Sequence, residues 1–382
     1  MKPRAILAPL SAGLVGLALG AVQYAIDPKH ALYAYTAGFL VALTIALGAL
    51  LFVMIAHASR ARWFVVFRRL TGAVASVTPI FVVLFVPIAL GVKWLYPWAR
   101  PDDLDLPSRA WAAHSRPWLN VPFFLVRSFV YLFAWSSLAI LLRRDGVASD
   151  TNPSEALVRR QRFVSAAGIP VMAITLTLAS FDWVMSLNPR WSSDILGIYI
   201  FAGALAGAMG VTAFVAWLVW RANVLPKEVG PAHFHALGRV LLMTVLFWAY
   251  IGFAQFLLVW IADMERESSF YIDRAHGGWG YVAAVLFSVH FAIPFLLLLS
   301  RPLKRAPALL AAVGAWLVCA HALDVYWLVV PALHGGMRWL DVPIVVGVVG
   351  IAAAFGVSQF FAAAPIPMRD PALAESLQYE SP

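Results

Sequence analysis

Long apolar runs separated by short polar stretches recur from one end of the chain to the other. An α-helix rises about 1.5 Å per residue and the hydrocarbon core of a bilayer is about 30 Å thick, so roughly 20 mostly apolar residues cross it. Ten stretches meet that requirement: Ala5 to Ile26, Leu32 to His57, Thr71 to Tyr96, Asn120 to Leu142, Phe163 to Leu187, Asp194 to Trp220, Gly238 to Ala262, Trp279 to Ser300, Pro307 to Val330 and Asp341 to Ala362. The pattern predicts an all-α integral membrane protein of about ten transmembrane helices over residues 1–364, with a polar tail over 365–382. The first run also resembles a signal peptide, with Lys2 and Arg4 ahead of it and Ala18-Leu19-Gly20 as a cleavage site. Its apolar length suffices to span, and it is read as helix one.

Three connections are long enough to carry structure. Residues Pro97 to Leu119 mix Asp102, Asp103 and Asp105 with tryptophans and are expected to lie along an interface. Asn152, Pro153 and Glu155 have the look of an N-cap, a first-turn proline and a capping-box acid that start helix five before the lipid. Asp263 to Gly278, with Asp263, Glu265, Glu267 and Asp273, is expected to be a solvated loop, although an acidic surface also suits a basic soluble partner.

Composition agrees with lipid as the solvent: 62% of the 382 residues are hydrophobic and 12% charged, against about half and a quarter in ordinary globular chains. The formal charge of +9 comes from short basic clusters between apolar runs, not from one patch, which argues against a nucleic-acid partner and for membrane topology. Of the 28 Lys and Arg residues, 18 fall on the side of the two termini, nine on the other side, and Arg127 within a span. The positive-inside rule then places both termini in the cytoplasm. Trp94, Trp98, Trp111, Trp118, Trp191 and Trp279 are read as an aromatic belt on the outer side. The lone Cys319 lies in an apolar run and there is no CxxCH motif, so covalently held haem, a disulfide framework, a thiolate metal site and a cluster ligated by this chain alone are not expected.

A charge at mid-membrane costs at least about 2.5 kcal/mol on insertion scales, which marks intramembrane ionisable residues as candidates. They are Arg127 in helix four, Asp182 in helix five, His290 in helix eight, and His321 with Asp324 in helix nine. His321 and Asp324, three apart, share a helix face; such a pair can relay a proton or lock two helices. Asp182 has no histidine in its own helix and is expected to be a desolvated acid or a partner of Arg127. His290 alone reads as a core histidine bonded to a carbonyl, and His290 with His321 as a minor candidate pair for haem. Helices two to five and six to nine each begin and end on the outer side, so residues 32–187 and 194–330 are candidate parallel repeats in which Asp182 matches Asp324.

The residues around Asp182, Ser180-Phe181-Asp182-Trp183-Val184-Met185-Ser186-Leu187 with Pro189, Trp191, Tyr199 and Phe201-Ala202-Gly203, resemble the second large membrane subunit of bacterial alternative complex III. The tail Arg369-Asp370-Pro371 with Leu373-Ala374-Glu375-Ser376-Leu377 resembles the ending of the same subunit, while Asn188 and Arg190 depart from its pattern, where an acid and a histidine are usual. The resemblance implies a polysulfide-reductase-like anchor of two four-helix bundles plus two peripheral helices in the bacterial inner membrane. It implies a subunit of a quinol:cytochrome c oxidoreductase, without redox centres and inactive alone, linked to proton conduction. The expected ligand is a quinone or quinol. Haem and iron–sulfur clusters belong to partner subunits, an iron–sulfur subunit and c-type cytochromes; the other implied partners are a paralogous quinol-binding membrane subunit and, as a further candidate, a terminal oxidase. A secondary transporter with buried carboxylate sites and a structural anchor are the competing readings.

Overall fold

The computed structural model describes residues 2–189, 191–276 and 278–380, with side chains for all of these except Lys2, Pro3, Glu265 and Arg266. Arg190 lies outside the described residues. Among the described residues, ten helices are long and apolar enough to cross a membrane: α1 Arg4–Ile26, α2 Pro28–Ala58, α3 Arg62–Leu90, α4 Val121–Thr151, α5 Glu155–Leu187, α6 Leu196–Arg221, α7 Pro231–Ile261, α8 Trp279–Leu299, α9 Pro307–Leu333 and α10 Asp341–Phe361. The chain is a multi-pass membrane protein. On the face that carries the termini α4 runs well past its predicted end, to Thr151, because hydropathy marks the depth of lipid and not the end of the backbone hydrogen-bond ladder, and α5 starts ahead of the lipid at Glu155, as expected. At the start of α5 the cap is Ser154, whose hydroxyl accepts from the Leu157 N–H at 3.2 Å. Asn152 instead ends α4.

Helices α2 to α5 close one four-helix ring and α6 to α9 a second, and the rings meet where α2 crosses α6. The apolar window of α2 is 94% buried, against 11% for α1. In the lipid-free centre of α2 the polar Thr36 and Thr44 return their hydroxyl protons to backbone carbonyls at 2.7–2.8 Å. The pair α1 and α10 lies outside the rings. Those two helices touch through small residues, since a Cβ added to Gly350 would lie 2.7 Å from the Gly13 nitrogen. The third span is the least regular. Pro79 and Pro87 have no N–H to give the ladder, and the span breaks into a 3-10 turn at Thr78–Ile80 and short helical pieces.

The two faces of the bundle are covered. On the terminal face the tail packs back onto the rings: Arg68 pairs with Asp370, Arg62 with Glu375 at 2.5 Å, and His233 Nε2 meets the Ser376 carbonyl at 2.8 Å. On the opposite face, the expected loop at 263–278 contains an amphipathic helix, Glu265–Ala275. Its Phe270 stacks on Trp191 at 4.2 Å, and the buried Arg274 donates to the carbonyls of Phe270, Trp327 and Leu328. The segment is therefore packed and not merely solvated. Of the predicted belt, Trp98, Trp191 and Trp279 are buried, and Trp94 and Trp118 are the exposed members.

Asp27 caps α2, accepting from the His30 N–H at 3.1 Å and from Arg338 at 2.8 Å. The backbone hydrogen bond holds its carboxyl below the usual 3.8, offset in part by burial and helped by Arg338. A depressed carboxyl stabilises the fold above the unfolded value and loses that contribution as pH falls through the folded one. Asp27→Ala is expected to lower stability by about 1 kcal/mol near neutral pH. The gap to the parent in thermal unfolding in detergent should close as the solution is acidified below the usual 3.8.

Candidate functional site

Two buried carboxyl groups occupy different electrostatic settings. Asp182 on α5 faces α4, where Arg127 and Tyr131 stand one helical turn apart. Arg127 donates through Nε at 2.9 Å and Nη2 at 2.7 Å, a bidentate pair. Tyr131 adds its hydroxyl at 3.0 Å and Trp118 its indole N–H at 2.9 Å. The guanidinium lies 4.0 Å from the Trp118 ring centre and 4.3 Å from that of Phe123, and it donates to the Trp118 carbonyl. Asp182 is fully buried and Arg127 nearly so. Charge is balanced and every carboxylate oxygen has two donors, which is the arrangement of a lock between α4, α5 and the segment before α4.

Asp324 on α9 has no such cation. Its oxygens accept from the Tyr199 hydroxyl of α6 at 2.5 Å and from the Trp248 indole of α7 at 2.9 Å, and it is 2% exposed. Both donors are neutral. An unpaired carboxylate is expensive in a low-dielectric interior, so a proton, not a neighbouring guanidinium, is the available balance for this group.

His321 does not bond Asp324 directly, as the spacing suggested. One turn of helix puts both on one face, but Nε2 is taken by Thr44 Oγ1 of α2 at 2.8 Å. Thr44 spends its single proton on the Leu40 carbonyl at 2.7 Å. The network therefore assigns the hydrogen of the neutral ring to Nε2 and leaves Nδ1 as a bare acceptor, and no protein group donates to it. His290 was expected to bond a carbonyl; instead neither ring nitrogen has a protein partner, and the ring stands edge-on to Trp248 at 4.0 Å and 6.5 Å from His321. It sits in a widened π turn, Phe287–Ala292. That turn precedes Pro294, which has no N–H for the regular ladder.

Tyr199 and Trp248 have a second role. With Gln255 they are the polar members of the lining of a cavity of about 700 Å³ at the second ring, otherwise walled mainly by apolar and aromatic side chains of α6 to α9, of the Glu265–Ala275 helix and of Trp191. Its lining includes Tyr250, Phe253 and Phe287, which are exposed on the lipid-facing surface of the bundle. The cavity thus opens to the bilayer, with Asp324 directly behind its innermost wall.

Sequence reasoning singled out the charged groups and missed their neutral partners. Thr44, Tyr131 and Trp248 carry no signal in a single apolar run, and Trp118 was read only as an interfacial anchor. A further buried acid escaped as well. Asp341 lies within 3.0 Å of His30 Nε2, accepts from the Tyr326 hydroxyl at 2.5 Å and from the Arg338 N–H at 3.1 Å, and ties α10 to α2 and α9. Both His30 and Asp341 stood at predicted span boundaries, where a charge is unremarkable. In comparisons with known proteins, no family model matches the chain and no curated protein matches it.

Proposed function

We propose that this chain is a membrane subunit of a quinol:cytochrome c oxidoreductase of the alternative complex III type, in a bacterial inner membrane with both termini cytoplasmic. It conducts protons linked to quinol oxidation and carries no redox centre of its own. The observation that supports the reading best is the pairing of a lipid-open aromatic cavity with a buried, cation-free carboxyl at its inner wall. A quinol is a planar ring on an isoprenoid tail, and its oxidation yields two electrons and two protons. An aromatic-lined chamber suits the ring, the bilayer supplies the tail, and Asp324 with Tyr199 offers an acceptor for a proton. Electrons would pass to iron–sulfur and haem groups on an iron–sulfur subunit and c-type cytochrome subunits, with a paralogous quinol-binding membrane subunit as a further partner. A transporter built from matched repeats would interrupt corresponding helices in both halves; here α3 is interrupted, while its counterpart α7 is one continuous helix. Affinity purification of the tagged chain from mild detergent tests the proposal. The expected preparation contains c-type haem absorbance and oxidises quinol with cytochrome c, whereas the chain stripped of its partners does neither. A chain that purifies alone, colourless and without partners would overturn it.

A further inference from the structure

Two acceptors converge on one glycine. A Cβ built on Gly203 of α6 would lie 3.1 Å from His321 Nδ1 and 3.4 Å from Asp324 Oδ2. Nδ1 is the bare lone pair of the assigned tautomer and has no protein donor, although His321 is 1% exposed. The two groups make no hydrogen bond to one another. Beside them lies a cavity of about 20 Å³ lined by Thr44, His321, Asp324 and Ile200, the last one turn before Gly203 on α6. A cavity holds a water when it offers about 10–15 Å³ and two or more polar partners, and buried polar atoms are nearly always satisfied.

We propose that one internal water molecule is bound here, donating one hydrogen to His321 Nδ1 and the other to the Asp324 carboxylate, and that it is the link through which the two residues exchange a proton. When Asp324 is protonated its O–H donates to the water, and the water donates to Nδ1. Transfer moves the carboxyl proton to the water and one of the water's own protons to Nδ1. An imidazolium and a carboxylate result, and no bond between heavy atoms is made or broken. The imidazolium is held at Nε2 by Thr44, whose hydroxyl oxygen accepts from it. Gly203 is part of the site because any larger residue would put carbon against both acceptors. The water site stands on this geometry alone; its part in conduction rests on the proposed function.

The adjacent glycine supplies a control. A Cβ on Gly207, one turn further along α6, would lie 3.0 Å from His321 Cδ2 and 3.0 Å from Ile45 Cγ1, touching the carbon edge of the same ring. Gly203→Ala and Gly207→Ala thus add the same methyl against the same histidine, and both favour helix. The experiment is electron cryomicroscopy of the purified complex at a resolution that shows ordered water, together with quinol-driven proton release in proteoliposomes. The expected density is one water within about 2.7–3.2 Å of both Nδ1 and Asp324, kept in Gly207→Ala and lost in Gly203→Ala. Proton release should fall on the order of a hundredfold in Gly203→Ala only, the low end of the range for a positioned proton-transfer group. Absence of the water in the parent protein overturns the site. A water lost in Gly203→Ala with proton release equal to that of Gly207→Ala overturns the relay. Normal proton release in Asp324→Asn as well would place the failure in the proposed function instead.

Discussion

Asp182→Asn is expected to strip the folded protein of about 3–5 kcal/mol, the usual consequence of leaving one partner of a buried ion pair uncompensated. The hydrogen-bond inventory explains why so small a change matters. Asp182 accepts two bonds from Arg127 and one each from Trp118 and Tyr131, so both oxygens are fully used by donors. An asparagine keeps one acceptor and turns an NH2 toward the other half of the bidentate pair, where an Arg127 N–H already points. Rotating the amide only exchanges which N–H is opposed. The guanidinium then remains buried between Trp118 and Phe123 with its charge unbalanced. Thermal unfolding in detergent and the yield of assembled protein measure the loss. The double variant Arg127→Met with Asp182→Asn should recover part of it, because the buried charge leaves with the arginine. A double variant that is additive, as destabilised as the sum of its parts, would show that the two residues act independently.

The contrast between the two acids was only half legible in the sequence. Charge within a long apolar run is conspicuous, so Arg127, Asp182, His321 and Asp324 stood out, and their depth followed from helix rise. What each acid touches did not follow. The partners of Asp324 come from α6 and α7, 125 and 76 residues away, and no local period encodes a crossing between helices. Thr44, 277 residues from His321, is one of two threonines in the most apolar helix and looks like core. The number and class of helices were readable because the bilayer imposes one length on every span. Helix ends, the irregular α3 and the packed segment at 265–275 were not, since these depend on prolines, caps and aromatic covering that hydropathy averages away.

Asp324 offers the more direct view of function because its isosteric change is expected to be tolerated by the fold. The asparagine oxygen can accept from Trp248, which only donates, while its NH2 faces the Tyr199 hydroxyl, which can turn and accept. No cation is stranded. Assembly should therefore be retained, in contrast to Asp182→Asn, while the group able to take up and give up a proton is gone. Quinol-driven proton release by the purified complex in proteoliposomes, compared between the parent and Asp324→Asn, is the measurement that bears on this most directly. The expected result is an assembled complex whose proton-coupled turnover falls by about a hundredfold or more; parental turnover with a normal proton yield would contradict it and remove α9 from the proton path.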